Sequence, residues 1–374
     1  MRKSNYKYFL LVTFLSAYFS SSSALVYAER LDSIMHQLGE NMLVLLPMLY
    51  LDDVKTEDLK PHLIELTSLL EKAKPHIVQS DVGSQINFSM LQDQIKKAVL
   101  YSDHSNLSML KSELEDSFAL CASCHNQDGN FVDQYGISKF RGLSEFLAAE
   151  YAYMTRDYGA ALVSYQNHLK NDEGDKNSQK IALDKLLIIT LEVYGEPELA
   201  YSTLTTVRKN LDVKRIKMPQ LDAWLKVIFR LIEEPDALHS PLSKRTIKEI
   251  NAYLYDEWPV VQLTLTIDEQ LVYWITIRGK LNQLLRTNVG KQDVAYLLYW
   301  LAQSDRALNY RFYDSLSRRY LVQCIRGYSN HEMATECYKE YEMLMIVSFS
   351  GSSGIFLPTE VRDELSELRK LVYR

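Results

Sequence analysis

The chain of 374 residues carries 42 basic and 48 acidic residues, which gives a net charge of −6. That acidic balance argues against nucleic acids and anionic membrane surfaces as partners. The length exceeds what one compact domain usually needs, so we expect two or more units.

The first 28 residues have the pattern of a Sec-type signal peptide. Arg2, Lys3 and Lys7 precede an apolar run over 8–19, and Val26-Tyr27-Ala28 places small residues at the −3 and −1 positions. We therefore predict cleavage after residue 28 and a periplasmic location, with no integral membrane span in the mature chain. An uncleaved N-terminal anchor is the alternative, although the apolar run is short for a span. Cleavage would leave a net charge of −9, because the segment holds three basic and no acidic residues.

Four amphipathic helices are predicted before residue 126, over about 30–49, 56–77, 84–101 and from 105 onward. In each of them apolar residues recur at three- and four-residue spacing, which places them on one face. The connections are short, and short connections favour neighbouring helices in an up-down-up-down bundle. The sequence therefore predicts an all-α fold with a four-helix bundle over 29–126.

Cys121-Ala122-Ser123-Cys124-His125 lies at the end of the fourth predicted helix. This spacing is the attachment pattern of c-type haem. On a helical turn the two thiols can reach the two vinyl groups of one porphyrin, and the histidine can bind the iron. A zinc site would need two more ligands at suitable spacing, and a thioredoxin-like pair would need a preceding strand. We therefore predict one covalent haem c held by Cys121, Cys124 and His125, with a chance match as the alternative.

With this motif in its last helix, the segment 29–126 resembles the four-helix-bundle cytochromes of the cytochrome c-prime and b-type group. Its first helix begins Leu31-Asp32-Ser33-Ile34-Met35, which is similar to the methionine-bearing first helix of the b-type members. The resemblance implies Met35 as the sixth iron ligand, and Met42, one heptad later, is the second candidate. A methionine on an apolar helix face is also common core filler. If neither methionine binds, the iron is five-coordinate and open to gases such as NO or CO.

The residues after the motif depart from that group. Asn126-Gln127-Asp128-Gly129-Asn130 ends the helix early, and such a tail resembles class I cytochromes c. In that alternative the methionine ligand lies downstream of the motif, where Met218 is the candidate. Its distance of 94 residues from Cys124 is long for that fold.

The rest of the chain is predicted as a polar linker over 127–142 and a helical domain over 143–374. Asp157-Tyr158-Gly159-Ala160-Ala161-Leu162, which follows an aromatic-rich helix, resembles a tetratricopeptide unit. The resemblance implies helical repeats with a concave face for a partner. An irregular helical domain without repeats is the alternative. The segment 258–268 contains the strand-like run Leu263-Thr264-Leu265-Thr266, but we predict helix there.

Cys324 and Cys337 lie in two predicted helices, about 311–325 and 331–345, on either side of a turn at 326–330. Two antiparallel helices joined by such a turn bring the two positions level, so we expect a disulfide between them. An oxidising compartment would preserve that bond. Two separate buried thiols are the alternative.

The helical domain shows no nucleophile–base set, phosphate loop or metal-ligand cluster in its sequence. We therefore predict an electron carrier, not an enzyme: an exported c-type cytochrome that passes electrons to a redox partner docked on the bundle or on the repeat domain. Two other functions stay open. One is a gas-binding or gas-sensing haem protein with an open sixth site, and the other is an envelope scaffold in which the haem is structural.

Overall fold

The computed structural model describes residues 31–49, 53–78, 80, 82–124, 143–171, 176–213, 218–233, 247–286, 290–308, 316–352 and 354–373. The predicted signal peptide, the predicted linker over 127–142 and His125 lie outside these residues. Within them the chain is helical apart from turns and one sheet of two short strands. The predicted all-α fold is therefore confirmed.

The helices before the predicted linker agree closely with the sequence pattern. They are α1 (31–49), α2 (Thr56–Ile77), α3 (Val82–Asp103) and α4 (Leu107–Cys124). The second of them has the same bounds as the prediction, because the periodic apolar residues and the short turns around it mark both ends.

Two compact units make up the chain. The first comprises Met1–Ser80 with Gln92–Ser117, and the second comprises Asp81–Leu91 with Phe118–Arg374. The division therefore falls inside α3 and inside α4. The predicted boundary at the linker lies outside the described residues and stays a prediction.

The first unit has a leucine-rich core and a few polar bridges between its helices. Asn41 of α1 donates from Nδ2 to the backbone carbonyl of His62 of α2 over 3.2 Å. Lys60 of α2 lies 2.6 Å from the carboxylate of Asp103 of α3. Each buried leucine stabilises the unit by about 2 kcal/mol, so the apolar faces contribute far more than these bridges. The buried leucines of α2 are Leu59, Leu63, Leu66, Leu69 and Leu70.

The second unit continues with helices that pack on their neighbours around one apolar core. They are α5 (Glu145–Met154), α6 (Tyr158–Asn171), α7 (Lys176–Leu187), a π-helical segment (Ile188–Val193), α8 (Pro197–Val213), α9 (Pro219–Glu233), α10 (Ile247–Asp256), α11 (Trp258–Gln262), α12 (Ile267–Arg286), α13 (Lys291–Leu308), α14 (Leu316–Gly327), α15 (Glu332–Ser348) and α16 (Thr359–Val372). A helical domain was expected here and is observed, whereas its arrangement as tetratricopeptide-like repeats stays a prediction.

The segment 258–268 is not the continuous helix that we predicted. α11 ends at residue 262, a turn follows, and α12 begins at residue 267. A capping box causes the new start: Thr266 Oγ1 accepts from the Glu269 amide at 3.3 Å, and Glu269 Oε2 accepts from the Thr266 amide at 2.8 Å.

The helices after residue 316 form a hairpin held by a disulfide. Cys324 of α14 and Cys337 of α15 are both buried, their Sγ atoms are at bonding distance and their Cα atoms are 6.3 Å apart. This is the pairing that the predicted hairpin implied. A short antiparallel ladder follows α15 and pairs β1 (Ser350–Gly351) with β2 (Gly354–Ile355). Among the described helices, none combines the length and apolar character that a bilayer crossing requires.

Candidate haem-attachment site

Cys121 to Cys124, the first four residues of the motif predicted to bind haem, form the last described turn of α4. The backbone is helical through Ala122 and Ser123 to Cys124, where the helix ends. In a regular α-helix two residues three apart are separated by about 4.5 Å along the axis and about 60° around it. Positions 121 and 124 therefore lie one above the other on neighbouring turns, as a shared porphyrin requires. The cysteine side chains and His125 lie outside what the structure describes.

The rest of α4 explains why a helix reaches the motif. Leu110 and Leu114 are fully buried, and Ser117 is buried with its hydroxyl donating to the Glu113 carbonyl at 2.7 Å. By helical register, position 121 falls on the same face as these two leucines, because it follows them by eleven and by seven residues. The apolar face of α4 thus continues into the first cysteine position.

The two methionines predicted as distal ligands lie on α1. Met35 is half-buried and Met42 is buried, with 6 % of its surface exposed. His36, next to the first of them, has an exposed side chain whose Nε2 lies 3.7 Å from Glu40 on the following turn. The ligand roles of the two methionines stay predictions.

No protein family, curated protein or solved structure matched this chain. The likeness to four-helix-bundle cytochromes and to tetratricopeptide repeats therefore rests on the residues quoted above. Among the described side chains, no three His, Cys, Asp or Glu residues gather to hold a metal ion. The side chains of the predicted haem motif are not among those described, so this statement does not apply to them.

A buried ion pair joins two helices of the second unit and was not foreseen. Arg278 of α12 donates from Nη2 and Nε to Glu192 Oε2 at 2.6 and 3.0 Å. Asn282, one turn later, donates to the other carboxylate oxygen at 3.3 Å. Burial opposes the charge of Arg278, but the Glu192 carboxylate raises the pKa of the guanidinium above its ordinary value. The pair is thus charged, mostly shielded from solvent and joined by three hydrogen bonds with the help of Asn282.

The same contact explains a glycine inside a helix. A Cβ atom on Gly279 would lie 2.8 Å from both the Cα and the carbonyl oxygen of Glu192. Glu192 belongs to the π-helical segment, where the Tyr194 amide donates to the Ile189 carbonyl five residues earlier at 3.0 Å. The extra residue in this turn bulges toward α12, and only a residue without a side chain permits the approach.

Further polar groups lie close to this ion pair. Lys185 Nζ stands 3.9 Å from the centre of the Tyr153 ring, and Tyr165 donates to Glu150 at 2.5 Å. Burial lowers the pKa of the Lys185 amine and raises the pKa of the Tyr153 hydroxyl. These contacts join α5, α6, α7 and α12, so we interpret the network as structural. The one sequence signal of this network was Gly279, a glycine that lies between long side chains in a helical pattern.

Proposed function

We propose that the chain is an exported c-type cytochrome that carries electrons through one covalently bound haem. The strongest support is that Cys121 and Cys124 are three residues apart in the last described turn of α4, directly before His125 in the sequence. Two thiols and one imidazole are the donor set of haem c, and the helical backbone supplies the spacing that the attachment needs. The residues present therefore fit the group.

The residues of the chain would divide the work of binding between them. Cys121 and Cys124 tether the porphyrin, and His125 supplies the proximal nitrogen to the iron. Met35 is the proposed distal ligand, and Met42 is the second candidate. A bound haem supplies one-electron chemistry, which the protein tunes through its axial ligands and their surroundings.

The second unit is proposed as the surface on which a redox partner docks, and the periplasm as its location. Two observations support that assignment. The Cys324–Cys337 disulfide is typical of an oxidising compartment. Successive helices of this unit pack on each other, and helical repeats of the predicted kind offer faces that suit protein partners. The proposed role is that of an electron carrier without catalytic residues of its own.

Attachment is tested by maturing the full chain in a host that attaches c-type haem. We expect the wild-type protein to keep its haem after denaturation, with one haem mass added to the polypeptide. Cys121→Ser and Cys124→Ser should each lower covalent haem, and the double variant should abolish it. Ala122→Ser, which introduces the same side chain between the cysteines, is the matched control and should retain haem. A colourless wild-type protein with both thiols free to alkylation would overturn the proposal.

The sixth ligand is tested by absorption spectra of the ferric and ferrous protein. Met35→Ala should remove the thioether-to-iron charge-transfer band, convert low-spin to high-spin iron and allow CO to bind. Met109→Ala, at a methionine with 43 % of its surface exposed, is the control and should change nothing. If Met42→Ala has the effect instead, Met42 is the ligand. A wild-type protein that is already high-spin and takes up CO would replace electron transfer by gas binding.

A further inference from the structure

Two tyrosines of the second unit form a parallel pair that reaches the surface. The rings of Tyr255 on α10 and Tyr299 on α13 are stacked, with 5.8 Å between centres and 14° between planes. The two hydroxyl groups lie close enough that each influences the pKa of the other. Tyr299 is buried, whereas Tyr255 has 38 % of its surface exposed. An oxidant in solution can therefore reach one phenol of a pair whose other member is shielded.

An indole completes the cluster. Trp300 packs edge to face on both phenols, with ring centres 5.1 Å away in each case. Its Nε1 donates to Asn251 Oδ1 of α10 at 2.8 Å. An amide oxygen is too weak a base to keep the indole proton, so a one-electron hole that arrives at the indole is best passed on to a phenol.

The phenols have acceptors for their protons. The carboxylates of Glu336 and Glu340 on α15 lie close enough to raise the pKa of both hydroxyl groups, after the larger effect of burial. Glu340 is itself held by Arg306 of α13 at 2.6 Å. Loss of an electron from a phenol expels its proton, and these two carboxylates and water can receive it.

We propose that Tyr255 and Tyr299 form an oxidative modification site that closes a dityrosine cross-link between α10 and α13. Each phenol loses one electron and its hydroxyl proton, and the two radicals join through a new bond between Cε carbons next to the hydroxyl groups. The hydrogen on each joined Cε then moves to the phenol oxygen, so both rings become aromatic again and two electrons and two protons are lost in total. The two electrons go to two equivalents of a diffusible one-electron oxidant, such as a high-valent metal complex. The near-parallel stack, with 5.8 Å between ring centres, holds the two phenols next to each other before the bond forms.

The other tyrosine–tyrosine contacts among the described residues are edge to face, and two of them serve as comparisons. Tyr153 and Tyr158 meet at 74°, and Tyr338 and Tyr373 meet at 89°. The Tyr338 hydroxyl donates to a glutamate, Glu342, at 2.9 Å. Edge-to-face rings do not align their Cε carbons for coupling, although Tyr373 is more exposed than Tyr255, at 52 %. An experiment can therefore distinguish whether the exposure of a tyrosine or the alignment of its ring with a second one determines which tyrosines couple.

The test oxidises the full-length protein briefly with photogenerated tris(bipyridyl)ruthenium(III) and persulfate at low protein concentration. Dityrosine fluorescence reports the yield, and peptide mapping of the monomer band after reduction and alkylation locates the bond. We expect one dominant cross-link between the peptides that hold Tyr255 and Tyr299. Tyr255→Phe and Tyr299→Phe should each lower the monomer yield at least tenfold, and Tyr373→Phe should leave it unchanged.

The proposal is overturned by either of two results. One is a wild-type peptide map in which other tyrosines are oxidised or coupled but this pair is not. The other is an unchanged dityrosine yield in Tyr255→Phe. The wild-type map decides the matter even if a variant fails to fold, and neither result depends on the proposed haem.

Discussion

Replacing Gly279 by alanine should destabilise the second unit, although the same change in an open helix stabilises it. Alanine is favoured over glycine in a helix interior by about 1 kcal/mol. At this position the new methyl group would stand 2.8 Å from backbone atoms of Glu192, well inside ordinary contact distance. Backbone atoms cannot rotate away as a side chain can. Overpacking of this kind costs about 1–3 kcal/mol, and the adjacent Arg278–Glu192 pair would be stretched as well. We expect a net loss of about 1–2 kcal/mol.

The matched control is Gly159→Ala near the start of α6. Its Cβ would meet nothing closer than Asp157 Oδ1 at 3.8 Å, so the helix preference of alanine acts alone. We expect that variant to be as stable as the wild type or up to about 1 kcal/mol more stable. The same substitution is made at both glycines, so a difference in stability between the two variants reports the space around each position.

Urea unfolding followed by tryptophan fluorescence is the suitable assay. All four tryptophans belong to the second unit, so the signal reports this unit. With a urea dependence of about 2–3 kcal/mol per molar, the midpoint of Gly279→Ala should fall by about 0.5 M. A midpoint that rises in Gly279→Ala as it does in Gly159→Ala would refute the close approach of α12 to the π-helical segment. The tryptophans are Trp224, Trp258, Trp274 and Trp300.

The remaining predictions concern charges and the disulfide. A hydrogen bond from Lys226 and the capping amide hold the pKa of Glu269 at about 2, below its ordinary 4.5. The ionised carboxylate should therefore stabilise the fold by about 2–3 kcal/mol above pH 4.5. This stabilisation should be lost as the pH falls toward 2. The urea midpoint of Glu269→Gln should therefore approach that of the wild type in acid; a constant gap between them would contradict this. Arg278→Met should cost about 3–5 kcal/mol by leaving Glu192 buried without its cation, and adding Glu192→Leu should recover most of it in the same assay. A double variant no more stable than the single one would refute the ion pair. Reduction of the α14–α15 disulfide should lower the free energy of unfolding by about 3 kcal/mol. The urea midpoint should therefore fall once alkylation shows that both thiols are free.

Much of the fold could be predicted because helices are local structures. The leucine spacing of α2 fixes which face is buried, and the residues around Thr56 and Ile77 mark its ends. The haem motif was also readable, since its meaning lies in five consecutive residues, Cys121 to His125. The pairing of Cys324 with Cys337 needed only two neighbouring helices and the turn between them.

Contacts between distant residues could not be predicted in this way. The stacked rings of Tyr255 and Tyr299 join α10 and α13, and nothing in the sequence of either helix indicates this contact. The residues of the capping box at Thr266 were present in the sequence. The run before them carried equal helix and strand signals, and in the tertiary structure it forms a turn.

The sequence by itself determined the helical class of this protein and its apolar faces, and it predicts a site where a haem would attach. Only the tertiary structure decided that Arg278 neutralises Glu192 and that Gly279 lets the two backbones meet. The physical reason is that a periodic pattern orients each residue about its own helix axis. Which faces then come together depends on the shapes and charges of helices far apart along the chain.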